Sequence, residues 1–273
     1  MHSSDPRSSD PRSSDPRSSD TPRTPKGTAW VTGATSGFGQ AIARRLVADG
    51  YRVVISGRRV DRLQALADEL GAATLPVVLD VRDRQAVLDA VETLPAAWRP
   101  LRVVVANAGL ALGLDPADRA DLDDWDTMVD TNVKGLMYTI RAALPQMVEA
   151  GGGHVITMGS VAGSYPYPGG NTYGATKAFV SQLALNLRAD LVGKGIRVTD
   201  IEPGLAETEF SVVRFKGDAA SAGKVYQGTE PLLPVDIAEA VSWALSQPLR
   251  VNVNRIELMA GCQAFGPFQV VRT

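Results

Sequence analysis

The sequence predicts an α/β fold in which a doubly wound parallel sheet of about seven strands lies between layers of helices. Short segments rich in Val and Ile alternate with segments of helical periodicity along most of the chain, which is typical of β-α-β units. The Val-rich segments are almost continuously apolar, as strands covered by helices on both faces should be. The first such segment also runs directly into a glycine-rich turn.

Seven strands are predicted along the chain. They span residues 28–31, 52–56, 77–79, 102–106, 154–158, 196–201 and 255–259. The segments between them have apolar residues at helical spacing, and Gly50 and Gly71 are placed to end two of the helices. Since strands that alternate with helices are joined by right-handed crossovers, the sheet is expected to be parallel.

The first 25 residues differ in composition from the rest of the chain. Residues 3–20 repeat Ser-Ser-Asp-Pro-Arg with a period of five, and such a segment has too little apolar surface to offset its ordering entropy. We therefore expect residues 1–25 to form a disordered low-complexity tail. Residues 26–273 contain no break typical of a linker and are predicted to form one domain that holds both coenzyme and substrate.

The composition of the 273-residue chain excludes several classes of function. With 28 Lys and Arg against 30 Asp and Glu, there is no net positive charge to favour nucleic acid or an anionic membrane. The lone Cys262 excludes an intrachain disulfide, and two His residues leave little for a metal site or a Ser-His-Asp triad. No apolar run reaches the ~18 residues of a membrane span. We predict a cytoplasmic protein without metal.

The glycine-rich turn after the first strand predicts a dinucleotide site of the Rossmann type. Glycines at such a turn allow backbone N–H groups to approach a pyrophosphate, whose charge the N-terminus of the following helix stabilises. A Walker phosphate loop is excluded because Gln40 stands where its Lys would be. The predicted contacts are Gly33, Thr35, Ser36, Gly37, Phe38 and Gly39.

The glycine spacing and four later motifs together resemble the short-chain dehydrogenase/reductase family. The resemblance covers essentially all of residues 28–260 in the family's order. The later motifs are Asn107-Ala108-Gly109, Ser160, the segment from Tyr173 to Lys177, and the segment from Pro203-Gly204 to Thr208. It implies that Asn107, Ala108, Gly109, Pro203, Gly204 and Thr208 also contact the coenzyme. One departure is Ala106, where the family often has Asn.

The end of the second strand predicts which nicotinamide coenzyme is bound. An NAD enzyme usually has Asp or Glu there to bind the ribose 2′-hydroxyl, whereas this chain has Arg58 and Arg59. A guanidinium group binds a 2′-phosphate with paired, charge-assisted hydrogen bonds. We therefore predict NADP(H), with Arg58 as the main contact and Arg59 as a helper or an adenine-stacking group. The resemblance implies that Asp80 and Val81 contact the adenine ring.

Tyr173 and Lys177 are four residues apart and so share one face of a helix. A nearby ammonium favours phenolate, and the positive nicotinamide ring of the oxidised coenzyme adds to this effect, so we expect Lys177 and the coenzyme together to lower the pKa of Tyr173 and to make it a proton acceptor or donor. Ser160 follows a strand at the sheet edge where ligands of α/β proteins bind, and its hydroxyl can hold a carbonyl oxygen. Asn132 resembles the fourth catalytic member of the family, which holds a water in a proton relay through Lys177.

The sequence predicts the class of substrate less narrowly than it predicts the coenzyme. Three segments (169–180, 197–204 and 213–218) resemble the NADP-dependent 3-hydroxy acid dehydrogenases, which act on short 3-hydroxy acids and their semialdehydes. Tyr167 is expected to line the pocket, and Arg214 or Lys216 to bind a substrate carboxylate. Sulfoacetaldehyde, a neutral ketone, or a non-catalytic NADPH-binding scaffold are the alternatives.

The family resemblance also implies a homotetramer. Its interfaces would be built from helices at 123–150 and 172–193 and from the C-terminal segment. The second of these helices has more apolar surface than a single contact with the sheet needs.

Overall fold

The computed structural model describes residues 25–266. The predicted tail at 1–25 lies outside the described residues, apart from Pro25. Seven strands form one parallel sheet with the order β3-β2-β1-β4-β5-β6-β7. The strands are β1 (Thr28–Thr32), β2 (Arg52–Gly57), β3 (Thr74–Val78), β4 (Leu101–Ala106), β5 (Gly153–Met158), β6 (Ile196–Pro203) and β7 (Arg255–Leu258). The prediction of a doubly wound parallel sheet is confirmed.

One strand differs clearly from its predicted bounds. The third strand was expected at 77–79, but β3 begins at Thr74 and includes Pro76. Pro76 pairs with Ile55 of β2, and β3 is at the edge of the sheet. An edge strand tolerates proline because one side of its backbone has no partner strand to bond. The apolar pattern alone does not reveal that the strand extends through this proline.

The α-helices cover both faces of the sheet. They are α1 (Gly37–Ala48), α2 (Val60–Leu70), α3 (Arg84–Glu92), α4 (Leu122–Val129), α5 (Leu136–Glu149), α6 (Asn171–Asp190), α7 (Phe210–Arg214), α8 (Ala219–Lys224) and α9 (Pro234–Ser246). The segment 123–150, expected as one helix, is α4 and α5 joined by a π-helical turn at Asp130–Gly135. None of the helices in residues 25–266 is long and apolar enough to cross a membrane.

Two apolar cores lie on opposite faces of the sheet. One packs Val155 and Val198 of the sheet against Leu136 and Ile140 of α5 and Val180 of α6. The other packs strands β1, β2 and β6 against apolar residues of α1, α2 and α9. Because every strand is parallel, the loops that leave their carboxyl ends meet along one edge of the sheet, and that edge is where ligands of such folds bind.

Candidate active site

A cleft of about 310 Å³ opens along the carboxyl edge of the sheet. It is lined by every predicted coenzyme contact except Gly39, and by three of the four predicted catalytic residues. Asn132 does not line the cleft. Tyr167 and Arg214 lie beside the cleft, next to Tyr173. Residues far apart in the sequence thus come together at the place where α/β proteins bind ligands.

The glycine-rich turn brings the backbone of β1 close to that of β4. Gly33 has a φ of +66°, and a Cβ there would lie 3.0 Å from the Ala108 backbone. A Cβ at position 39 would collide with the carbonyl group of Gly33, which explains why glycine is needed there although Gly39 does not line the cleft. Ser36 makes no capping hydrogen bond to α1, and the first turn of α1 has no acidic residue. The N-terminus of α1 is therefore suited to an anion.

Asn107 joins the two central strands beside this turn. Its Nδ2 donates to the Thr32 carbonyl oxygen at 2.8 Å, and its own backbone N–H donates to Thr32 Oγ1 at 3.1 Å. The Ala108 N–H donates to the same hydroxyl at 3.1 Å. Thr32 was not singled out from the sequence, because a Thr that ends a strand has no distinguishing pattern. These bonds fix the floor of the cleft.

The two arginines after β2 have different surroundings. Arg59 donates to Thr35 Oγ1 at 3.2 Å and to Glu209 Oε2 at 2.8 Å. Arg58 makes one distant ion pair, 4.0 Å from Asp80 Oδ2, and its side chain is 60% exposed. Asp80 itself is held by Arg82 at 2.6 Å. Arg58 is thus the arginine with more freedom to bind a ligand in the cleft.

Sequence reasoning missed Glu209, which spans the mouth of the cleft. Its carboxylate accepts hydrogen bonds from Arg59 and, at 2.5 Å, from Arg62 of α2. Glu209 immediately precedes α7, so these ion pairs join α7 to α2. A lone Glu in a loop carries no signal of such a partner, since the pairing bridges about 150 residues of sequence.

The predicted catalytic residues meet at the centre of the cleft. Tyr173 and Lys177 share one face of α6, and Lys177 Nζ lies 5.8 Å from the Tyr173 ring centroid. Lys177 Nζ donates to the Met158 carbonyl oxygen at 2.7 Å. Ser160 Oγ accepts from the Ala162 N–H at 3.1 Å and donates to the Pro203 carbonyl oxygen at 3.3 Å. The three side chains are buried.

Asn132 lies in the π-helical turn and is 1% exposed. Its Oδ1 accepts from the Leu110 N–H at 2.9 Å, and its Nδ2 donates to the Leu110 carbonyl oxygen at 2.8 Å. Nδ2 also lies 3.1 Å from Thr176 Oγ1 of α6. Asn132 therefore joins the loop after β4 to the helix of Tyr173 and Lys177, a structural link that the sequence did not predict.

In the chain by itself, Lys177 does not lower the pKa of Tyr173, and the expected lowering with oxidised coenzyme bound stays a prediction. Burial raises the pKa of Tyr173 to about 12, although the nearby Ser160 hydroxyl opposes the rise. Burial also lowers the pKa of Lys177 to about 8. The sequence argument considered the charge of Lys177 but not desolvation, which acts on both groups in a dry cleft and disfavours their charged forms.

Arg214 and Lys216, both offered as carboxylate ligands, are separated by the structure. Lys216 Nζ forms an ion pair with Asp124 at 2.9 Å, away from the cleft. Arg214 Nη2 donates to Tyr167 Oη at 2.6 Å, and the guanidinium carbon lies 5.5 Å from the Tyr173 ring centroid. The ion pairs found in residues 25–266 do not include Arg214. Of the two cations, only Arg214 faces the predicted reacting centre.

Comparison with known proteins agrees with this geometry. The chain is 58% identical over 244 residues to an NADP-dependent 3-hydroxy acid dehydrogenase of Salmonella typhi, covering 89% of this chain and 98% of that protein. It is 50% identical to a serine 3-dehydrogenase of Rhizobium radiobacter, covering 90% and 98% of the two chains. A closed form of serine dehydrogenase complexed with NADP+ aligns with a TM-score of 0.89 and 53% identity over 90% of this chain and all (100%) of that one. The family model for short chain dehydrogenases matches residues 27–218, and the chain belongs to that family.

Proposed function

We propose that this protein is an NADP(H)-dependent dehydrogenase that interconverts a small 3-hydroxy acid and its 3-oxo acid or semialdehyde. Serine, L-allo-threonine and 3-hydroxypropionate are substrates of the proposed type. The observation that carries the proposal is the position of Arg214, a guanidinium without a carboxylate partner in the described residues, 5.5 Å from the Tyr173 ring centroid. The relatives named above act on the same class of substrate.

The cleft fits a coenzyme with a 2′-phosphate. The absence of an acidic residue in the first turn of α1 suits a pyrophosphate at that helix N-terminus. Arg58 lines the cleft where β2 ends and has only a weak ion pair. No carboxylate of the chain occupies the position that would bind a ribose 2′-hydroxyl directly after β2. Arg58 would hold the 2′-phosphate, and Lys177 and Asn107 line the part of the cleft next to the reacting centre.

Once bound, NADP(H) supplies the hydride donor or acceptor of the reaction. The chain's own residues handle the proton and the substrate oxygen. Ser160 Oγ is a hydrogen-bond donor that can hold the carbonyl oxygen, and the Tyr173 hydroxyl gives its proton to that oxygen during reduction or takes one from the hydroxyl during oxidation. The role of Asn132 in a relay through Lys177 stays a prediction.

The pKa values indicate how the two directions depend on pH. With a Tyr173 pKa of about 12, the phenol carries the proton that reduction consumes at all ordinary pH values. Lys177, with a pKa of about 8, loses its charge as the pH rises above that value. We expect reduction to be fastest below pH 8, and oxidation to need an alkaline medium because deprotonated Tyr173 is the base.

Arg214 and Tyr167 support a substrate with a carboxylate. Their 2.6 Å hydrogen bond orients the guanidinium, and Arg214 Nε also donates to the Gly113 carbonyl oxygen at 3.2 Å. These contacts leave Nη1 of Arg214 without a protein partner in the described residues. A guanidinium in this position binds a carboxylate with charge-assisted bonds, so one end of a short acid is held while its other end meets Tyr173.

The deciding experiment is a substrate panel with the full chain. It includes malonic semialdehyde, sulfoacetaldehyde, neutral aldehydes and neutral ketones with NADPH, and serine, L-allo-threonine and 3-hydroxypropionate with NADP. Arg214→Ala is expected to raise KM for the acids by about 10- to 100-fold, since it removes a charge-assisted pair, and to change KM for neutral carbonyls little. Lys216→Ala is the matched control, because Lys216 pairs with Asp124 outside the cleft.

The alternatives are outcomes of the same panel. A preference for sulfoacetaldehyde that also depends on Arg214 would keep the anion-binding role and replace the substrate. Turnover of neutral ketones alone, unaffected by Arg214→Ala, would contradict the acid substrate. Coenzyme binding without turnover of any carbonyl would favour a non-catalytic NADPH-binding scaffold.

We also propose a homotetramer in the cytoplasm. Support for assembly comes from α6, where Phe179 and Leu185 are 36% and 45% exposed although apolar. Light scattering after size-exclusion chromatography would report a mass about four times that of the 28.9 kDa chain. A monomer in that measurement would contradict the assembly.

A further inference from the structure

Two buried carboxyl groups lie directly behind the predicted catalytic residues and have no part in the reaction described above. Asp200 and Glu202 of β6 are 2% and 0% exposed. They are two residues apart on a strand, so both face the same side of the sheet, which is the side covered by α6. Two charged carboxylates in a dry interior would repel each other at a high cost, so their presence here needs a physical account.

Asp200 is packed against the segment that carries Ser160. Its Oδ1 accepts from Thr157 Oγ1 of β5 at 2.7 Å. Its Oδ2 has no hydrogen-bond partner in the described residues and lies so close to Gly159 that a Cβ there would come within 2.6 Å. Gly159 immediately precedes Ser160. The Asp200 carboxyl therefore fixes how near the Ser160 segment lies to β6, and only glycine leaves room for it.

Glu202 is packed against the helix that carries Lys177. Its Oε1 accepts a hydrogen bond from Ser181 Oγ of α6 at 2.7 Å and forms an ion pair with Arg255 Nε of β7 at 3.0 Å. Ser181 lies one turn after Lys177, and its hydroxyl is 3.2 Å from the Lys177 carbonyl oxygen. Oε2 of Glu202, like Oδ2 of Asp200, has no hydrogen-bond partner in residues 25–266.

A single proton held between the two carboxyl groups would satisfy both unpartnered oxygens and remove one of the two negative charges. Burial, and then the hydrogen bond and charge of Asp200, raise the pKa of Glu202 to about 7, which agrees with Glu202 as the residue that holds the proton. The negative charge that stays on Asp200 opposes the effect of burial, which lowers the pKa of Lys177 to about 8.

We propose that Asp200 and Glu202 share one proton and act as a positioning pair for the reaction. Their remaining negative charge keeps Lys177 protonated. Their hydrogen bonds fix the positions of the Ser160 segment and of α6 relative to β6. We call them the acid pair. This role rests on the proposed function, because the pair acts through Ser160 and Lys177 and does not itself contact the substrate.

Other titratable groups face the acid pair, and a test must distinguish their effects from those of the pair. They are Arg255 and Glu257 of β7, Tyr165 in the loop after β5, and Lys177 of α6. Arg255 contacts the Glu202 member of the pair. Glu257 is exposed and lies 3.4 Å from Tyr165 Oη. Glu257→Gln is therefore the matched control, a carboxyl of the same sheet edge that is outside the pair.

The first test is the pH profile of kcat/KM for carbonyl reduction in Asp200→Asn and Glu202→Gln. Asp200→Asn removes the charge that faces Lys177, so the limb at which activity is lost toward high pH should move down by about 1 pH unit. Glu202→Gln keeps an N–H donor toward Asp200 and keeps the charge of Asp200, so the limb should move less than in Asp200→Asn. Equal losses of kcat in both variants with an unmoved limb would mean a merely structural role and would overturn the proposal.

The second test measures thermal unfolding against pH and does not depend on activity. Glu202 holds its proton more tightly in the folded chain, with a pKa of about 7 against an ordinary value of 4.5. Its contribution to stability is therefore complete below pH 4.5 and lost as the pH rises through 7. Compared with Glu257→Gln and the wild type, Glu202→Gln should show a flatter Tm profile over this range.

The two tests separate failure of the acid pair from failure of the proposed function. A Tm profile of Glu202→Gln that is parallel to the wild-type profile would overturn the shared proton even in an enzyme that turns over its acid substrate. If the wild type reduces no carbonyl, the function and the positioning role fail together, whereas a flatter profile would still support the shared proton.

Discussion

The two sides of the cleft are built differently. On the coenzyme side, the surface of the cleft is mostly backbone, which two side chains hold in place. The glycine turn after β1, the hydroxyl of Thr32 and the amide of Asn107 hold two central strands together, with bond lengths between 2.8 and 3.4 Å. On the substrate side, the wall is formed by the short helix α7 and by side chains such as Arg214 and Tyr167, which are only partly buried.

This difference indicates how each side works. A backbone cradle offers the same N–H groups whatever the neighbouring side chains are, so it suits a coenzyme that is common to a whole family. A wall of side chains on short helices changes its chemistry with single substitutions, and it is held to the sheet by fewer buried contacts. Substitutions on the substrate side should therefore alter specificity, while those at the reacting centre between the two sides should alter the rate.

The largest effect on catalysis is expected for a substitution of Tyr173, which lies at the boundary of the two sides. Tyr173→Phe removes the group that carries the proton but keeps a buried ring of the same shape, which packs against Phe210 at 5.5 Å between centroids. Loss of a general acid–base group costs about 10²- to 10⁴-fold in rate. We expect kcat to fall by this factor while NADPH binding, followed by fluorescence titration, changes less than about twofold. Activity within tenfold of the wild type would contradict the role of Tyr173.

The next effect is expected at the coenzyme side and should discriminate between the two nicotinamide coenzymes. Arg58→Ala removes a guanidinium whose charge-assisted bonds to a phosphate are worth about 1.5–3 kcal/mol, or 10- to 150-fold in affinity. KM for NADPH should rise by this factor, and KM for NADH should change little. Arg84→Ala, an exposed arginine at the start of α3 outside the cleft, is the control. An equal rise for both coenzymes would exclude contact between Arg58 and the 2′-phosphate.

The same comparison explains what sequence reasoning predicted and what it missed. Strands, the glycine turn, Ser160, Tyr173 and Lys177 all leave a local pattern, because each depends on neighbours only a few residues away in the chain. The bonds from Asn132 to Leu110 and from Glu209 to Arg59 join residues 22 and 150 positions apart, and no local pattern reports them. The raised pKa of Tyr173 in the chain by itself was not predicted, because spacing gives the distance to a charge but not the extent of burial.

The smallest effect is expected at Glu209, which joins the two sides. Its carboxylate binds Arg59 and Arg62, and all three side chains are more than 40% exposed. Exposed ion pairs contribute ~0.2–1 kcal/mol, so Glu209→Gln should change the free energy of unfolding by less than ~1 kcal/mol. Because the substitution frees α7 from α2, KM for NADPH should rise about 1.5- to 5-fold with kcat nearly unchanged.

The direction in which Glu209→Gln changes KM for NADPH distinguishes two roles of Glu209. Glu209 also brings a negative charge to the part of the cleft that contains Arg58 and Arg59, where it opposes a phosphate. If that repulsion outweighed the link to α7, Glu209→Gln would lower KM for NADPH and leave KM for NADH unchanged. Steady-state kinetics with both coenzymes therefore distinguish the two effects. A rise in both KM values means that the ion pairs hold α7 in place, and that the substrate side depends on the coenzyme side for its position.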